Sequence, residues 1–331
     1  MTYRYVPLLR TKAGEVTALH NLTAAAKQRI SPIVHVVAAP PATFVTKLSA
    51  AWANEIALDG LFNFGVTGST SVFADMLRDL RQAGVTAIPS VEVNADSRYV
   101  AAAKKFIITR QPNLVVKVAI AQLPVLQAWV TAQGWKPKNV DLVITAGHVA
   151  EYGDGQFAGY VGHAINNGLT TPAAWRSVTL ASAAAPKDTG SLQVGMNQVP
   201  RLDWALWQKV RTQVGFQLDY GDYGIAHPDL TDPPGVAMTK ATVSVRYTID
   251  NAWLVIKGRP TTGASGQPMA NQYRQHARTL HAHQQFDKLQ GCWADGRITA
   301  IATTPTKSGS RTTWVEICAN RHLMFIADRL P

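Results

Sequence analysis

Two charged residues interrupt strand-like runs that are otherwise apolar. Glu92 lies in the run Pro89–Asn94, and Lys117 lies in the run Val115–Ile120. A charge inside an apolar strand is costly unless it meets a partner or a wet cavity. If the two strands are neighbours, a Glu92–Lys117 pair would satisfy both charges, and such a pair can also be purely structural. The pattern predicts that both side chains point into one interior or its opening, with Glu92 as the leading carboxylate for acid–base chemistry.

Further polar residues fall at or just beyond the ends of strand-like runs. Acids, bases and amines together are suited to anion binding or to general acid–base chemistry. Lys12 and Glu15 have a competing explanation, because Glu15 would favour the N-terminus of a following helix. We assign three candidate catalytic residues, Glu92, Asp222 and His227, and seven candidate ligand-binding residues: Lys12, Glu15, Lys117, Arg201, Tyr223, Arg246 and Arg259.

Metal, phosphate-loop and nucleophile motifs are weak in this chain. The segment Asp219–Asp229 contains metal-ligand residue types but no second His or Cys, so no metal ligand is assigned and the cofactor stays unknown. The loop Gly65–Ser71 offers amides to an anion, although an ordinary helix N-cap explains it better and the P-loop ending is absent. Cys292 and Cys318 are expected to be buried, inert thiols.

The elements that must position these residues alternate regularly. Strand-like runs and helix-compatible stretches alternate through residues 3–220, which implies right-handed crossovers and a parallel sheet. Eight such units predict a single (β/α)₈ barrel of the TIM type, whose sites gather where strands enter their following loops. The predicted strands are Tyr3–Arg10, Ile33–Ala38, Ala57–Phe62, Thr86–Val93, Leu114–Ala119, Asp141–Ala146, Ser177–Ala181 and Gly215–Asp219.

The organisation changes near Asp232–Gly235, a loop signal rich in Pro and Gly. We predict a barrel over 1–232 and a C-terminal appendage over 233–331 that packs on the barrel. The appendage is too short and too punctuated to be assigned as an independent domain. Its predicted elements are a β-hairpin, Thr242–Ile249 with Ala252–Lys257, and a long polar helix, Gln267–Leu289.

The composition is that of a globular protein, with 47% hydrophobic and 16% charged residues. The longest apolar stretch, Leu114–Val130, is interrupted by a lysine, glutamines and a proline, so it does not predict a membrane span. Two cysteines in 331 residues argue against a disulfide framework. The N-terminus enters a strand at once and lacks signal-peptide features, so we expect a cytoplasmic protein without membrane contact.

The net charge of +11 is unevenly distributed along the chain. Residues 233–331 carry 12 basic and 5 acidic residues, whereas residues 1–232 carry 20 and 16. An anionic ligand is therefore expected to meet the C-terminal part, although a diffuse surplus also explains solubility alone. Basic residues interleaved with Trp253, Tyr273 and Trp293 form either a surface for nucleic acid or ordinary hairpin and helix packing.

Short motifs spread along the whole chain carry a family resemblance. They are Tyr5–Glu15, Ile30–Pro32, Arg201–Trp207, Tyr220–Tyr223 with His227–Pro228, Arg246–Thr248 with Trp253, Cys292–Asp295 and Trp314–His322. Through them the chain resembles the beta protein family of temperate phages, satellite phages and prophage islands. It departs from the family pattern at His35, where an acidic residue is expected, and at Arg321, where a second histidine is common. The resemblance implies a phage-defence or toxin-neutralising gene cluster and leaves the biochemical activity open.

Two function classes follow from these observations. The leading hypothesis is that the barrel mouth binds a phosphate-bearing ligand, either a nucleotide or a nucleic-acid end, with hydrolytic chemistry as an option. The alternative is a non-enzymatic protein that restrains a toxin or effector encoded in the same gene cluster. An open, roomy mouth favours the first hypothesis, and a mouth blocked by the appendage favours the second.

Overall fold

The structure is a computed structural model that describes residues 2–152, 155–231 and 242–331. The boundary predicted at residues 232 and 233, with its loop signal Asp232–Gly235, lies outside the described residues. The strands within the described ranges are β1 (Tyr5–Arg10), β2 (Ile33–His35), β3 (Ile56–Asp59), β4 (Ala87–Glu92), β5 (Leu114–Ala119), β6 (Val140–His148), β7 (Ser177–Ala183), β8 (Gly195–Pro200), β9 (Asp219–Asp222), β10 (Ser244–Thr248) and β11 (Ala252–Lys257).

Helices follow most of the strands and pack around them. They are α1 (Ala13–His20), α2 (Ala24–Arg29), α3 (Phe44–Ala51), α4 (Leu61–Thr67), α5 (Ser71–Gln82), α6 (Ser97–Lys104), α7 (Leu123–Ala132), α8 (Gln156–Gly168), α9 (Leu202–Val210), α10 (Met269–His281), α11 (Trp293–Thr303) and α12 (Arg311–Arg329).

Strands β1 to β7 and β9 form a closed parallel barrel, because β9 pairs with both β7 and β1. The predicted (β/α)₈ barrel is confirmed. The eighth strand was predicted at Gly215–Asp219, and that placement is wrong. The carbonyl of Leu218 accepts a hydrogen bond from the Trp207 indole at 2.9 Å, and the ladder to β1 begins only at Tyr220, which is paired with Tyr5.

Alternation along each strand divides the barrel into an apolar lumen and an outer face that packs on the helices. Gly221 shows how crowded the lumen is, because a Cβ there would lie 3.0 Å from atoms of Ala181, Thr179 and Val6. The carboxyl ends of the strands open above this packed layer, and polar side chains collect there. The lumen cluster consists of Val6, Leu8, Ile33, Ala57, Ile88, Val115, Val143 and Ala181, with Tyr223 against it.

The predicted β-hairpin is confirmed as β10 and β11, which pair antiparallel from Ser244–Lys257 to Thr248–Trp253. A third strand, β8, pairs with the other edge of β11. No expectation from the sequence covered β8, whose residues alternate between half-buried and exposed. Because β8 precedes the predicted boundary in the chain and β11 follows it, the sheet joins the two parts through backbone hydrogen bonds.

Two C-terminal helices differ from the sequence expectations. Helix α10 ends at His281, well before the predicted Leu289, because tight turns follow and Asp287 adopts a positive φ of 51° that cannot continue a helix. The C-terminal segment, whose type the sequence left open, forms α12. The Ser310 hydroxyl caps its N-terminus by accepting from Thr313 N at 3.3 Å. Helix α12 packs between α1 and β10, and so joins the appendage to the first barrel unit.

Candidate functional site

Lys117 lies at the centre of a charged group inside the barrel mouth. Glu92 and Lys117 are register partners on β4 and β5, and the Lys117 Nζ lies 3.4 Å from the Glu92 Oε2. The predicted Glu92–Lys117 pair is therefore confirmed. A second carboxylate, Asp59 at the end of β3, lies closer to the amine, with 2.9 Å between Lys117 Nζ and Asp59 Oδ2. We call His35, Asp59, Glu92, Lys117 and Tyr223 the mouth cluster.

Asp59 is buried and held by several donors. Its Oδ2 accepts from the Ser90 hydroxyl at 3.0 Å, and its Oδ1 accepts from Leu61 N at 3.1 Å. Burial opposes ionisation of this carboxyl, but the Lys117 ammonium outweighs burial and lowers the pKa of Asp59. Lys117 is likewise penalised by burial, and the Asp59 and Glu92 carboxylates raise its pKa. Both groups are therefore charged at neutral pH.

His35 is the neutral base of the mouth cluster. Burial lowers the pKa of His35 to about 4, although the Asp59 carboxylate acts in the opposite direction. Its Nδ1 lies 4.0 Å from Asp59 Oδ1, and its Nε2 is buried without a hydrogen-bond partner among the described residues. The ring stacks on Tyr223 with 6.3 Å between ring centroids. Burial also raises the pKa of Tyr223, so the mouth holds a neutral imidazole beside a neutral phenol.

A basic cleft of about 360 Å³ lies beside the mouth cluster, between the loops that follow β7 and β9 and the elements β10 and α12. Arg10 connects the two regions, because its charge lowers the pKa of both His35 in the mouth and Arg246 in the cleft wall. The cleft is open to solvent and is not blocked by the described part of the appendage. The basic groups that line it are Arg10, Lys187, His227, Arg246 and Arg311.

Arg246 lines the basic cleft from β10 and is tied to two loops. Its guanidinium donates to the carbonyl of Ile225 and, at 2.8 Å, to the carbonyl of Pro186. Burial lowers the pKa of Arg246 to about 10, which still leaves it charged at neutral pH. Backbone carbonyls carry no net charge, so these hydrogen bonds hold the guanidinium in place without neutralising it. Arg246 therefore contributes positive charge to an anion-binding surface.

Three other candidates lie at or near the cleft. The rings of His227 and His148 lie 4.5 Å apart, centroid to centroid. Burial lowers the pKa of His227, and the charge of His148 lowers it further. Glu15 is buried and holds Arg10, with 2.6 Å between Arg10 Nη2 and Glu15 Oε1. Glu15 therefore positions a cation at the end of β1. Lys12 immediately precedes α1, and the structure places it outside the residues that line the cleft.

Asp222 and Arg201 lie in a separate, fully enclosed network. Asp222 accepts from the hydroxyls of Tyr5 at 2.6 Å and Tyr220 at 2.7 Å, and its Oδ2 lies 2.9 Å from His322 Nε2. Arg201 Nη2 approaches the same oxygen at 3.4 Å. We call these five residues the Asp222 network. Despite the cost of burial, His322 and Arg201 hold the pKa of Asp222 well below its usual range.

Strand alternation explains why Asp222 is absent from the mouth. Gly221 and Tyr223 face the lumen, so Asp222 between them faces outward, where α12 supplies His322. Arg201 is enclosed by the rings of Trp204 and Trp253, at 5.6 and 5.5 Å from their centroids. The structure thus brings Glu92, Lys117 and Tyr223 together and places Asp222 and Arg201 behind the barrel wall.

The basic aromatic surface considered around the hairpin does not form. Trp253 and Tyr273 are buried in the hydrophobic core, so their faces are closed to a nucleic acid. Arg259 is exposed beyond β11, where its backbone N donates to Gln272 Oε1 at 2.7 Å. It does not line the basic cleft. Ordinary hairpin and helix packing therefore accounts for Trp253 and Tyr273, whereas Arg246 of the same set lines the basic cleft.

Sequence reasoning missed Asp59, His35 and Arg10. All three end barrel strands and face the lumen, in phase with the buried residues Leu8, Ile33 and Ala57. Extending the two-residue alternation of side chains to the last residue of each strand would have identified them.

Among the described residues, no group of three or more His, Cys, Asp or Glu side chains is arranged to hold a metal ion.

The geometry defines a (β/α)₈ barrel protein with a charged mouth and an adjoining basic cleft. The family model described as Beta protein matches residues 5–328, and the chain belongs to that family. No curated protein sequence matches the chain. No helix within the described residues is long and apolar enough to cross a membrane.

Solved structures resemble the chain at the level of the fold. Triosephosphate isomerase from Bartonella henselae is 13% identical over 66% of this chain and 92% of its own, with a TM-score of 0.34. The tryptophan synthase α-subunit from Pyrococcus furiosus, a D146A mutant, is 12% identical over 67% of this chain and 89% of its own, with a TM-score of 0.38. Both are too distant to support an inference about activity.

Proposed function

We propose that the barrel mouth and the basic cleft bind a phosphate-bearing ligand, either a nucleotide or a nucleic-acid end. The observation that carries this proposal is the convergence of Arg10, Lys187, Arg246 and Arg311 on one open cleft at the carboxyl ends of the strands. Active sites of (β/α)₈ barrels are built at this face. Guanidinium groups match phosphate geometry, and those of Arg10 and Arg246 are already oriented by Glu15 and by loop carbonyls.

The mouth cluster is suited to hydrolysis of such a ligand. Glu92 is its exposed carboxylate, with 39% of the side chain accessible, whereas Asp59 is buried and committed to Lys117. We assign Glu92 to accept a proton from a water molecule as the water oxygen attacks phosphorus and the ester oxygen leaves. Lys117 then stabilises negative charge that develops beside it. The Tyr223 hydroxyl is the remaining group of the mouth cluster that can contact the ligand, because His35 Nε2 is buried.

We place this activity in the cytoplasm, in a phage or prophage defence or toxin-neutralising cluster, as the family suggests. The alternative, a non-enzymatic protein that restrains a toxin or effector, predicts a surface for a protein partner and does not need an open mouth. The open cleft and its cationic lining favour the ligand-binding proposal.

Calorimetric titration with ATP, and with adenosine as the matched ligand without phosphates, tests the proposal. ATP should bind and adenosine should not, and binding should weaken with added salt. Lys187 is exposed on the cleft rim, where its Nζ lies 2.5 Å from Asp229 Oδ2. Lys187→Glu removes this cation and places a second carboxylate beside Asp229, so it should lower ATP affinity about tenfold or more, a change of about 1.4 kcal/mol. Lys138→Glu is the matched control, because Lys138 is exposed just before β6 at the opposite end of the barrel. Equal effects of the two reversals, or no binding at all, would refute the proposal.

A further inference from the structure

Three aromatic rings form an exposed stack at the start of α8. Tyr152 stacks on Phe157 with 4.2 Å between ring centroids and 8° between ring planes. Phe157 continues to Tyr160 at 6.1 Å and 30°. Tyr152 and Tyr160 are 50% and 54% exposed, while Phe157 is partly buried and packs on the hydrophobic core. We call these three residues the aromatic ladder.

The aromatic ladder presents flat faces in a fixed orientation. Large aromatic residues usually gain stability by burial, so two exposed rings held against an anchored third, one parallel to it and one inclined by 30°, are unusual on a protein surface. Because Phe157 is anchored in the core, the neighbouring tyrosine rings lose little freedom when a planar group stacks on them. A preformed stack of this kind is suited to planar, conjugated ligands.

The ladder follows β6 in the chain, and the last residue of that strand contacts the basic cleft. His148, at the end of β6, packs its ring 4.5 Å from His227 of the cleft. Val149 N then donates to the carbonyl of Ala183 at 2.7 Å, and Tyr152 N donates to the carbonyl of Val149 at 3.2 Å. Tyr152, the first residue of the aromatic ladder, therefore lies one turn beyond Val149, which is hydrogen-bonded to the end of β7. This places Tyr152 at the carboxyl face of the barrel.

The far end of the ladder borders an apolar groove. Tyr160 lines this groove, of about 410 Å³, together with Ile120, Leu123 and Pro124. The groove has few polar groups, so it suits a flat apolar body better than a phosphate. The ladder thus borders an apolar groove at Tyr160, and at Tyr152 it follows the strand whose last residue, His148, contacts His227 of the basic cleft.

We propose that the aromatic ladder stacks successive bases of a single-stranded nucleic acid whose terminal phosphate lies in the basic cleft. This inference rests on the proposed function and specifies its ligand. Basic grooves that track a backbone, combined with aromatic rings that stack bases, are the general means of binding single strands without sequence preference. A mononucleotide has one base and can use one ring face, whereas the two exposed rings, Tyr152 and Tyr160, each offer an outer face to a different base. A duplex presents no free base faces.

Fluorescence anisotropy with labelled oligonucleotides of about 12 nucleotides, a length within the range of about 4–16 nucleotides that one single-strand-binding module covers, tests this inference. The probes are single-stranded DNA and single-stranded RNA, each with and without a 5′ phosphate, and the corresponding DNA duplex. Single-stranded DNA and single-stranded RNA both offer the bases and phosphates proposed here. Comparison of their affinities shows which polymer the protein prefers. Lys187→Glu should abolish the advantage of the 5′ phosphate.

The deciding variant is Tyr152→Ala/Tyr160→Ala. It should lower affinity for single strands about tenfold or more, because the substitutions remove the rings on which the bases stack. Its affinity for ATP and its unfolding midpoint should stay close to those of the unsubstituted protein, because both rings are exposed. Ile108→Ala is the matched control, because Ile108 is 49% exposed in the loop before β5, away from the ladder.

The outcomes separate the two proposals. ATP binding without single-strand binding, or single-strand binding that the double variant leaves unchanged, overturns the ladder inference and leaves the proposed function standing. Duplex binding as tight as single-strand binding also overturns it. Failure of every phosphate-bearing probe to bind overturns the proposed function itself, and the ladder inference with it.

Discussion

The mouth cluster and the Asp222 network are both built around a buried carboxylate paired with a cation, yet they differ in what remains available. In the network, both carboxylate oxygens of Asp222 are occupied by hydrogen bonds or ion pairs. The partners are two tyrosines, His322 and Arg201, and all of them are buried. In the mouth, Glu92 reaches solvent and His35 Nε2 has no partner among the described residues. Both regions contain buried nitrogens without a partner among the described residues, Arg201 Nε and Nη1 in the network and His35 Nε2 in the mouth. The network is sealed behind the barrel wall and stabilises the fold, whereas Glu92 at the opening can meet a ligand.

The difference arises from which side of one barrel wall each carboxylate faces. Asp59 ends β3 and faces the lumen, where β4 and β5 supply Ser90 and Lys117. Asp222 ends β9 and faces outward, where α12 covers it. Residue types alone do not distinguish the two carboxylates. The following substitutions test this division, from the largest expected effect on stability to the smallest.

Asp222→Ala should lower the free energy of unfolding most, by about 3–5 kcal/mol, because it removes the buried acceptor of Tyr5, Tyr220 and His322 and leaves Arg201 with only one of its two carboxylate partners, Asp203. Urea denaturation followed by circular dichroism measures the loss. Ligand affinity per folded molecule should not change. A variant of normal stability that no longer binds would instead place Asp222 in the site, as predicted from the sequence.

Lys117→Met should destabilise by about 2–4 kcal/mol, since it leaves the Asp59 carboxylate buried without a cation. The double variant Asp59→Asn/Lys117→Met should recover much of this loss, because both charges are then removed together. Neither variant should support hydrolysis of a phosphate ester. Full stability of the single variant would show that solvent already screens Asp59.

His35 should make stability pH-dependent in mildly acidic solution. Its pKa is about 4 in the folded protein and 6.5 ordinarily, so the unfolded chain takes up a proton first as pH falls. The stabilisation from neutral His35 is complete above pH 6.5 and is lost as pH falls toward about 4. Between about pH 7 and about pH 4.5 the unfolding free energy should fall by about 2 kcal/mol more than in His35→Gln. Parallel curves for the two proteins would argue against a buried, neutral imidazole.

Glu92→Gln should change stability by less than about 1 kcal/mol, because the Glu92 side chain is partly exposed and its ion pair is screened. Phosphate release from a bound nucleotide should fall by about a hundredfold or more, with affinity nearly unchanged. Rapid-quench assays under single-turnover conditions separate these two quantities. Loss of affinity with an unchanged rate would make Glu92 a binding residue instead of the base.

Much of the fold could be predicted because local patterns determine it. Eight apolar runs separated by helical stretches indicate parallel strands. Two β-rich runs on either side of the Asp250–Asn251 turn indicate a hairpin. The strand β8 could not be predicted, because half its residues are exposed and only pairing with β11 makes it a strand. For the same reason the exposure of Tyr152 and Tyr160 was not visible in the sequence.

The sequence by itself determined the barrel and the Glu92–Lys117 pair, since charges in phase on adjacent apolar strands must meet inside the barrel. Only the tertiary structure decided which other polar residues join them. A shift of one residue along a strand moves a side chain from the lumen to the outer face, and β9 begins later than its sequence suggested. That register turns Asp222 toward α12 and leaves Tyr223 in the mouth with His35.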